Sequence, residues 1–344
     1  MMIASCADQQ RIQQEVVTTE LQFTSPLLPE DPDLLSRPVN YISYEIKAND
    51  GANHDVHICF EGTPEWAVNE LGQEVRVSKN RAGEIRYAKA GTTEQPVLLK
   101  KGDNVRIDWG YFYLAAPGEK QTVTASGDYF APKTAFAQAG NTGAGEDTLT
   151  AKMGLSMPVM AIADALGEVS SQPAVVYILI GYDDIESIQY FGTNLKAWWT
   201  KNGAVTMDQA LQAVAKDYEN VMKRCAEMDK QVWDEALTAD GRNYADLCVL
   251  AFRQSIAAHK LVKDTTGNIL FLSKENFSNG FIGTVDVTYP SAPLSPGLIT
   301  CWKMALTPRT SFARMIAPVI LKMFSWSWST AYFLILPKKI HAGK

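Results

Sequence analysis

The feature that most constrains the fold is a change of hydrophobic period at Tyr182. Before it, apolar and polar residues alternate in short runs: VVTTELQF, VNYISYEI, EVRVS, EIRYAKA, PVLLK, NVRIDWGYFYLAA, VMAIADALGEV and AVVYILIGY. A period of two, punctuated by turn-rich stretches such as SPLLPEDPD and KANDGANHD, predicts strands joined by loops. After it, TMDQALQAVAKDYENVMKRCAEMDKQVWDEAL places Ala210, Leu211, Val214, Tyr218, Val221 and Met222 at helical spacing. NYADLCVLAFRQSIAAHKLVKD repeats that spacing after Asp240-Gly241, so two long helices joined by a short turn are expected to form an antiparallel hairpin. The chain therefore reads as a β-rich domain, a sandwich by expectation, followed by a helical one.

Between the two, DDIESIQYFGTNLKAWWTKNG opens on Asp183, Asp184 and Glu186, which the spacing assigns to a helix N-terminus. A contribution to a domain interface is the competing role. Trp198 and Trp199 are expected to pack between domains, and His259, at helical spacing in AFRQSIAAHK, to be a partnered core or edge histidine. After the helices come a strand-like NILFLS and a polar, glycine-punctuated loop.

Composition excludes several functions. A net charge of -6 disfavours nucleic acid, whose binders need clustered Lys and Arg to displace counterions. Five scattered cysteines with no CxxC, and four histidines, give no zinc pattern; no metal and no cofactor are expected. The start MMIASCADQQ lacks the apolar run of a secretory signal, so the chain as written is expected to stay cytoplasmic.

Four stretches are specific enough to carry a resemblance: FTSPLLPEDPDLLSRPVNYISYEI, KAGTTEQPVLLKKGDNVRIDWGYFYLAAP, IGYDDIESIQYFG and RQSIAAHKLVKDTTGNILFLSKENFSNGFIGTVDVTYPSAPL. Over about residues 20–294 the sequence resembles the glutaminase A family of fungi and Bacteroides-type bacteria. That resemblance implies an extracytoplasmic family, a β domain, and a six-helical-hairpin (α/α) toroid. It divides the chain into a partial β-sandwich domain over 1–184, a first hairpin with its polar loop over 185–294, and an atypical tail over 295–344.

The tail sets itself apart by charge. From Val287 to Lys344 there is no Asp or Glu, while Lys and Arg occur seven times. The run 316–336 is long enough for a membrane span and flanked by Lys338 and Lys339, but Lys322 and several hydroxyl residues interrupt it. A shifted reading frame is the favoured reading: the shift brings acidic residues back, and over 313–320 it permits Asp-Asp-Cys-Ala-Gly-His, which resembles a motif of the family's later hairpins. A genuine basic, aromatic tail is the third reading.

The chemistry concentrates in the loop after NILFLS, where Lys274, Glu275, Asn276, Thr284, Asp286 and Tyr289 surround Gly280 and Gly283. Glycines let the backbone bend close to a ligand, and two carboxylates facing each other push their pKa values apart into an acid and a base. The competing reading is that Glu275 and Asp286 only brace the loop. Hydrolysis of the glutamine amide, which the resemblance implies, needs a base for water and ion pairs for the ammonium and carboxylate of the substrate. Asp286 as base, Glu275 as its catalytic partner or, with Asn276, on the ammonium, and Lys274 on the carboxylate meet that need. Thr284 and Tyr289 complete the expected substrate contacts, and Thr284 as a nucleophile activated by Lys274 is a variant. The expected partner is a small molecule, glutamine or a sugar, because a glycoside hydrolase of toroid type also uses paired carboxylates. A non-catalytic ligand-binding module is the remaining alternative.

Overall fold

The computed structural model describes residues 7–13, 16–100, 102–154, 157–274, 279–286, 288 and 331–338. Most of the alternating runs become antiparallel strands in two sheets. The larger has eight strands in the order β1 (Ala7–Gln13), β2 (Val17–Thr24), β3 (Val39–Ala48), β11 (Ala174–Asp183), β7 (Tyr111–Ala116), β6 (Ile85–Thr92), β5 (Glu74–Ala82) and β9 (Thr148–Lys152). The smaller has the order β16 (Ala331–Lys338), β4 (His54–Gly62), β10 (Val159–Val169) and β8 (Gln121–Ser126). Two short helices, α1 (Pro32–Ser36) and α2 (Ala131–Ala139), fill connections.

The sheets pack face to face. Ile42, Tyr44, Ile178 and Ile180 of the larger meet Val56, Ile58, Met160 and Ile162 of the smaller in one core. The opposite face of the larger sheet is also covered: Tyr41, Tyr87, Tyr113 and Leu179 pack against Leu211, Val214, Val221 and Ile256 of the helices. Cover on both faces leaves β3 and the end of β11 buried almost without a break, Asn40 and Ser43 included.

The helical part begins with α3 (Met207–Lys216), whose N-terminus is closed by a capping box between Thr206 and Gln209. Its last carbonyls, which have no partner within the helix, are taken by the sheet: the Tyr41 hydroxyl donates to Val214 O (3.1 Å) and the Tyr177 hydroxyl to Ala215 O (3.1 Å). Tyr177 stacks on Tyr218 with ring centroids 3.8 Å apart. The next element, α4 (Tyr218–Ala257), is interrupted at Asp240 (φ -155°, ψ 34°) and Gly241 (φ 75°, ψ -171°). In a straight helix Val221 and Ile256 would stand about 50 Å apart, yet both join the cluster around Leu211. The chain therefore reverses at Asp240–Gly241, and the expected antiparallel hairpin is present.

Several local expectations are corrected. PVLLK is a turn, with Gln95 and Leu98 at positive φ, and NVRIDWGYFYLAA is strand only from Tyr111. Strand β4 went unpredicted because His54, Asp55 and His57 mask the inward alternation of Val56, Ile58 and Phe60. The second helix stops at Ala257, and His259 opens strand β14 (His259–Lys263), which pairs with β15 (Ile269–Ser273) as a hairpin. Asp183 and Asp184 cap no helix: a small hairpin follows them, β12 (Ile188–Tyr190) with β13 (Thr193–Leu195), then a 3₁₀ turn at Trp198–Thr200. Trp199 packs between the large sheet and the helices, as expected, while Trp198 donates its indole N–H to Asp33 Oδ1 (2.6 Å). Residues 316–330 of the candidate membrane span lie outside the described residues; Ala331–Lys338 forms β16 on β4. Among the described residues no helix is long and apolar enough to cross a membrane.

Candidate functional site

The site is built where the end of β11 meets the β14–β15 hairpin. Trp109 and Tyr182 hold the end of β11: the Tyr182 hydroxyl donates to Trp109 O (2.5 Å), and Trp109 Nε1–H donates to Asp184 O (2.7 Å). Close approach here requires glycine at position 110, where a Cβ would sit 2.1 Å from the Asp183 carbonyl oxygen. The next residue in the turn, Ile185, is held at φ 56°, a strained conformation for a β-branched side chain. The backbone thereby turns Asp184 inward.

Asp184 is buried and doubly served, accepting from Ser187 Oγ (2.9 Å) and from Lys260 Nζ (2.5 Å) on β14. His259, one residue earlier, is also buried and lies parallel to the Phe271 ring at 4.5 Å. Its Nδ1–H donates to Ser255 O (2.5 Å). Burial pushes the imidazole pKa down to about 4, and the Lys274 charge pushes the same way, against the Ser255 hydrogen bond. Tyr182, Asp184, Trp199, His259 and Lys260 line a small cavity of about 60 Å³ between these elements.

Lys274 follows β15 directly. Its backbone N–H donates to Ala258 O (2.9 Å), it forms a bridge with Ile282, and Gly283 N–H donates to Ser273 O (2.7 Å), so the returning loop lies against it. The side chain has no exposed surface, and Nζ has no hydrogen-bond partner among the described residues. Desolvation drives its pKa well below the usual lysine value; Lys260 adds to the effect and Asp184 opposes it. A buried amine held toward its neutral form is a proton acceptor or nucleophile, whereas a carboxylate arriving beside it favours the ammonium and pairs with that form.

Of the other expected site residues, Thr284 is half-buried with its Oγ1 unpartnered among the described residues, which places a second unsatisfied polar group in the returning loop. Asp286 is exposed. Glu275, Asn276 and Tyr289 lie outside the described residues. Sequence reasoning missed Lys260 and assigned Asp184 to a cap. HKLVK carries no period of two, its two apolar residues standing side by side, so no local pattern singled out Lys260. Among the described residues no group of three or more His, Cys, Asp or Glu is placed to hold a metal.

A two-layer β domain covered by a helical hairpin, with buried charge at their junction, defines the class of protein. Comparison with known proteins gives the family. Residues 9–235 match the model of a domain of unknown function, DUF5127, and residues 241–315 match that of the glutaminase A six helical-hairpin domain. The second match begins at the reversal, at Gly241, and runs past Leu294. The chain belongs to the glutaminase A family. It is similar to Glutaminase A of Aspergillus oryzae, 26% identical over 286 residues covering 81% of this chain and 41% of that protein. It is also similar to a protein of Arthroderma benhamiae named "Probable glutaminase", 23% identical over 337 residues, 92% of this chain and 37% of the other. The chain thus spans less than half the length of these relatives. Among solved structures, a putative kojibiose phosphorylase from the human microbiome aligns over 73% of this chain and 27% of its own, with 8% identity and a TM-score of 0.37.

Proposed function

We propose that this chain carries part of an L-glutaminase-like amidohydrolase, converting glutamine to glutamate and ammonia. The observation that supports the reading is that the glutaminase A hairpin match covers the segment holding Lys274 and the loop that returns against it. In this reading Lys274 receives the substrate carboxylate: an incoming anion supplies the partner its buried Nζ lacks among the described residues. Asp286, exposed and so able to reach water, is the general base; Glu275 or Asn276 takes the ammonium, and Thr284 and Tyr289 orient the amide.

The test is ammonia release from L-glutamine, run beside reducing-end release from a glycan panel on the same preparation. Weak ammonia release is expected, and reducing ends without ammonia would overturn the proposal. Asp286→Asn is expected to lower the rate by about 10²–10⁴-fold, the usual contribution of a general base. Unchanged turnover removes Asp286 from the mechanism.

A further inference from the structure

A second polar cleft, which shares Trp199 with the small cavity, is bounded by the rim of the large sheet and the start of α3. Its volume is about 380 Å³, the scale of a site for a small ligand. Asp183, Asp208, Lys89, Tyr87, Tyr113 and Trp199 supply its chemistry.

The charges there are only partly compensated. Asp208 accepts from the Tyr87 hydroxyl (2.7 Å) and Asp183 from the Ile185 backbone N–H (3.0 Å), but neither carboxylate has an ion-pair partner among the described residues. Lys89 Nζ lies 4.7 Å from the centroid of the Tyr111 ring and likewise has no carboxylate partner. Lys196, also at the cleft, is paired with Glu186 (2.9 Å), and its charge together with that of Lys89 only partly offsets the burial that raises the Asp183 carboxyl. Both carboxylates act on one point: Asp183 and Asp208, together with Tyr87, raise the Tyr113 phenol beyond what burial alone does. The cleft therefore presents two acids and aromatic rings suited to an ammonium, and a lysine suited to an anion.

From this we infer that the cleft binds a zwitterionic ligand of amino-acid size, its ammonium between Asp183 and Asp208 and its carboxylate at Lys89. The site is distinct from the Lys274 loop and concerns binding alone, so it stands whether or not the chain hydrolyses an amide.

Calorimetric titration of the full chain with three probes tests it: L-glutamine, glutaramate, which lacks the ammonium, and 4-aminobutanamide, which lacks the carboxylate. Saturable binding of glutamine is expected, with each analogue weaker by about tenfold or more, the loss expected for one charge-assisted hydrogen bond. Lys89→Met should weaken glutamine and glutaramate but leave 4-aminobutanamide as it was. Asp208→Asn should do the reverse, weakening glutamine and 4-aminobutanamide and sparing glutaramate. Misfolding cannot produce that crossed pattern. Absence of saturable glutamine binding overturns the inference, as does binding that both variants leave unchanged or lower equally for all probes. Ammonia release, followed in parallel, reports on the amidohydrolase reading separately.

Discussion

Lys260 Nζ donates to Asp184 Oδ2 at 2.5 Å, joining β14 to the turn after β11 across 76 residues, with Asp184 buried and Lys260 largely covered. A buried pair is costly to break from one side, because the partner left behind is a charge removed from water. Lys260→Met is expected to destabilise the fold by about 3–5 kcal/mol. The double variant Asp184→Leu/Lys260→Met should recover most of that loss, since no stranded charge remains. Urea midpoints for the two single variants and the double close a mutant cycle; additive single effects would show that the two groups do not act as a pair.

Lys274 has the opposite relation to stability. Its folded pKa is depressed, so between that value and the ordinary lysine value near 10.5 the unfolded chain binds the extra proton. Stability from this group is complete above the unfolded pKa and is lost as pH falls toward the folded one. Lys274→Met is therefore expected to raise the urea midpoint at pH 7, with the gain shrinking toward pH 10. On the proposed function the same variant loses ammonia release, so a more stable and less active protein is the combined expectation. A variant less stable at pH 7 would contradict the burial argument.

What was legible in the sequence follows from the range of the interactions involved. Strands β2, β3, β5, β6, β10 and β11 and both arms of the hairpin announce themselves through periods of two and 3.6, which local packing on one face imposes. Lys274 stood out because a polar residue directly after an apolar strand is locally conspicuous. Asp184 did not, because a carboxylate before a mixed segment looks like a cap, and its actual partner is Lys260, far along the chain. The strand at His259–Lys263 was hidden for a related reason: SIAAHKLVK continues the helical register, and only the pairing with Ile269–Ser273 breaks it. Trp199 sits where two clefts meet, which no local pattern encodes.

His259 supplies a pH signature on the acidic side. Its imidazole titrates near 4 in the folded chain and near 6.5 when unfolded, so the unfolded state takes up the proton first as pH falls. Stability from His259 is complete above about 6.5 and declines as pH drops through the folded value, a loss of roughly 3 kcal/mol by linkage. His259→Phe, which keeps a ring against Phe271, should flatten the stability profile between pH 6.5 and 4. An NMR titration placing the folded imidazole near 6.5 would overturn this expectation.

The reversal in α4 rests on one residue whose conformation only glycine adopts with ease. Gly241 has φ 75° and ψ -171°, a region closed to side chains by the backbone itself, while a Cβ there would meet no neighbour within 4 Å. Steric crowding is thus absent and the cost of Gly241→Ala is purely conformational, about 1–3 kcal/mol. Asp240→Ala, one residue earlier at φ -155°, is the matched control and should stay within about 0.5 kcal/mol of the parent. Amide exchange reads the consequence locally, because loosening the turn should lower protection around Phe252 and Ile256 while leaving the capped α3 intact. If Gly241→Ala is as stable as the parent, the chain runs on as one helix there, and Val221 and Ile256 cannot share the core that holds the hairpin to the sheet.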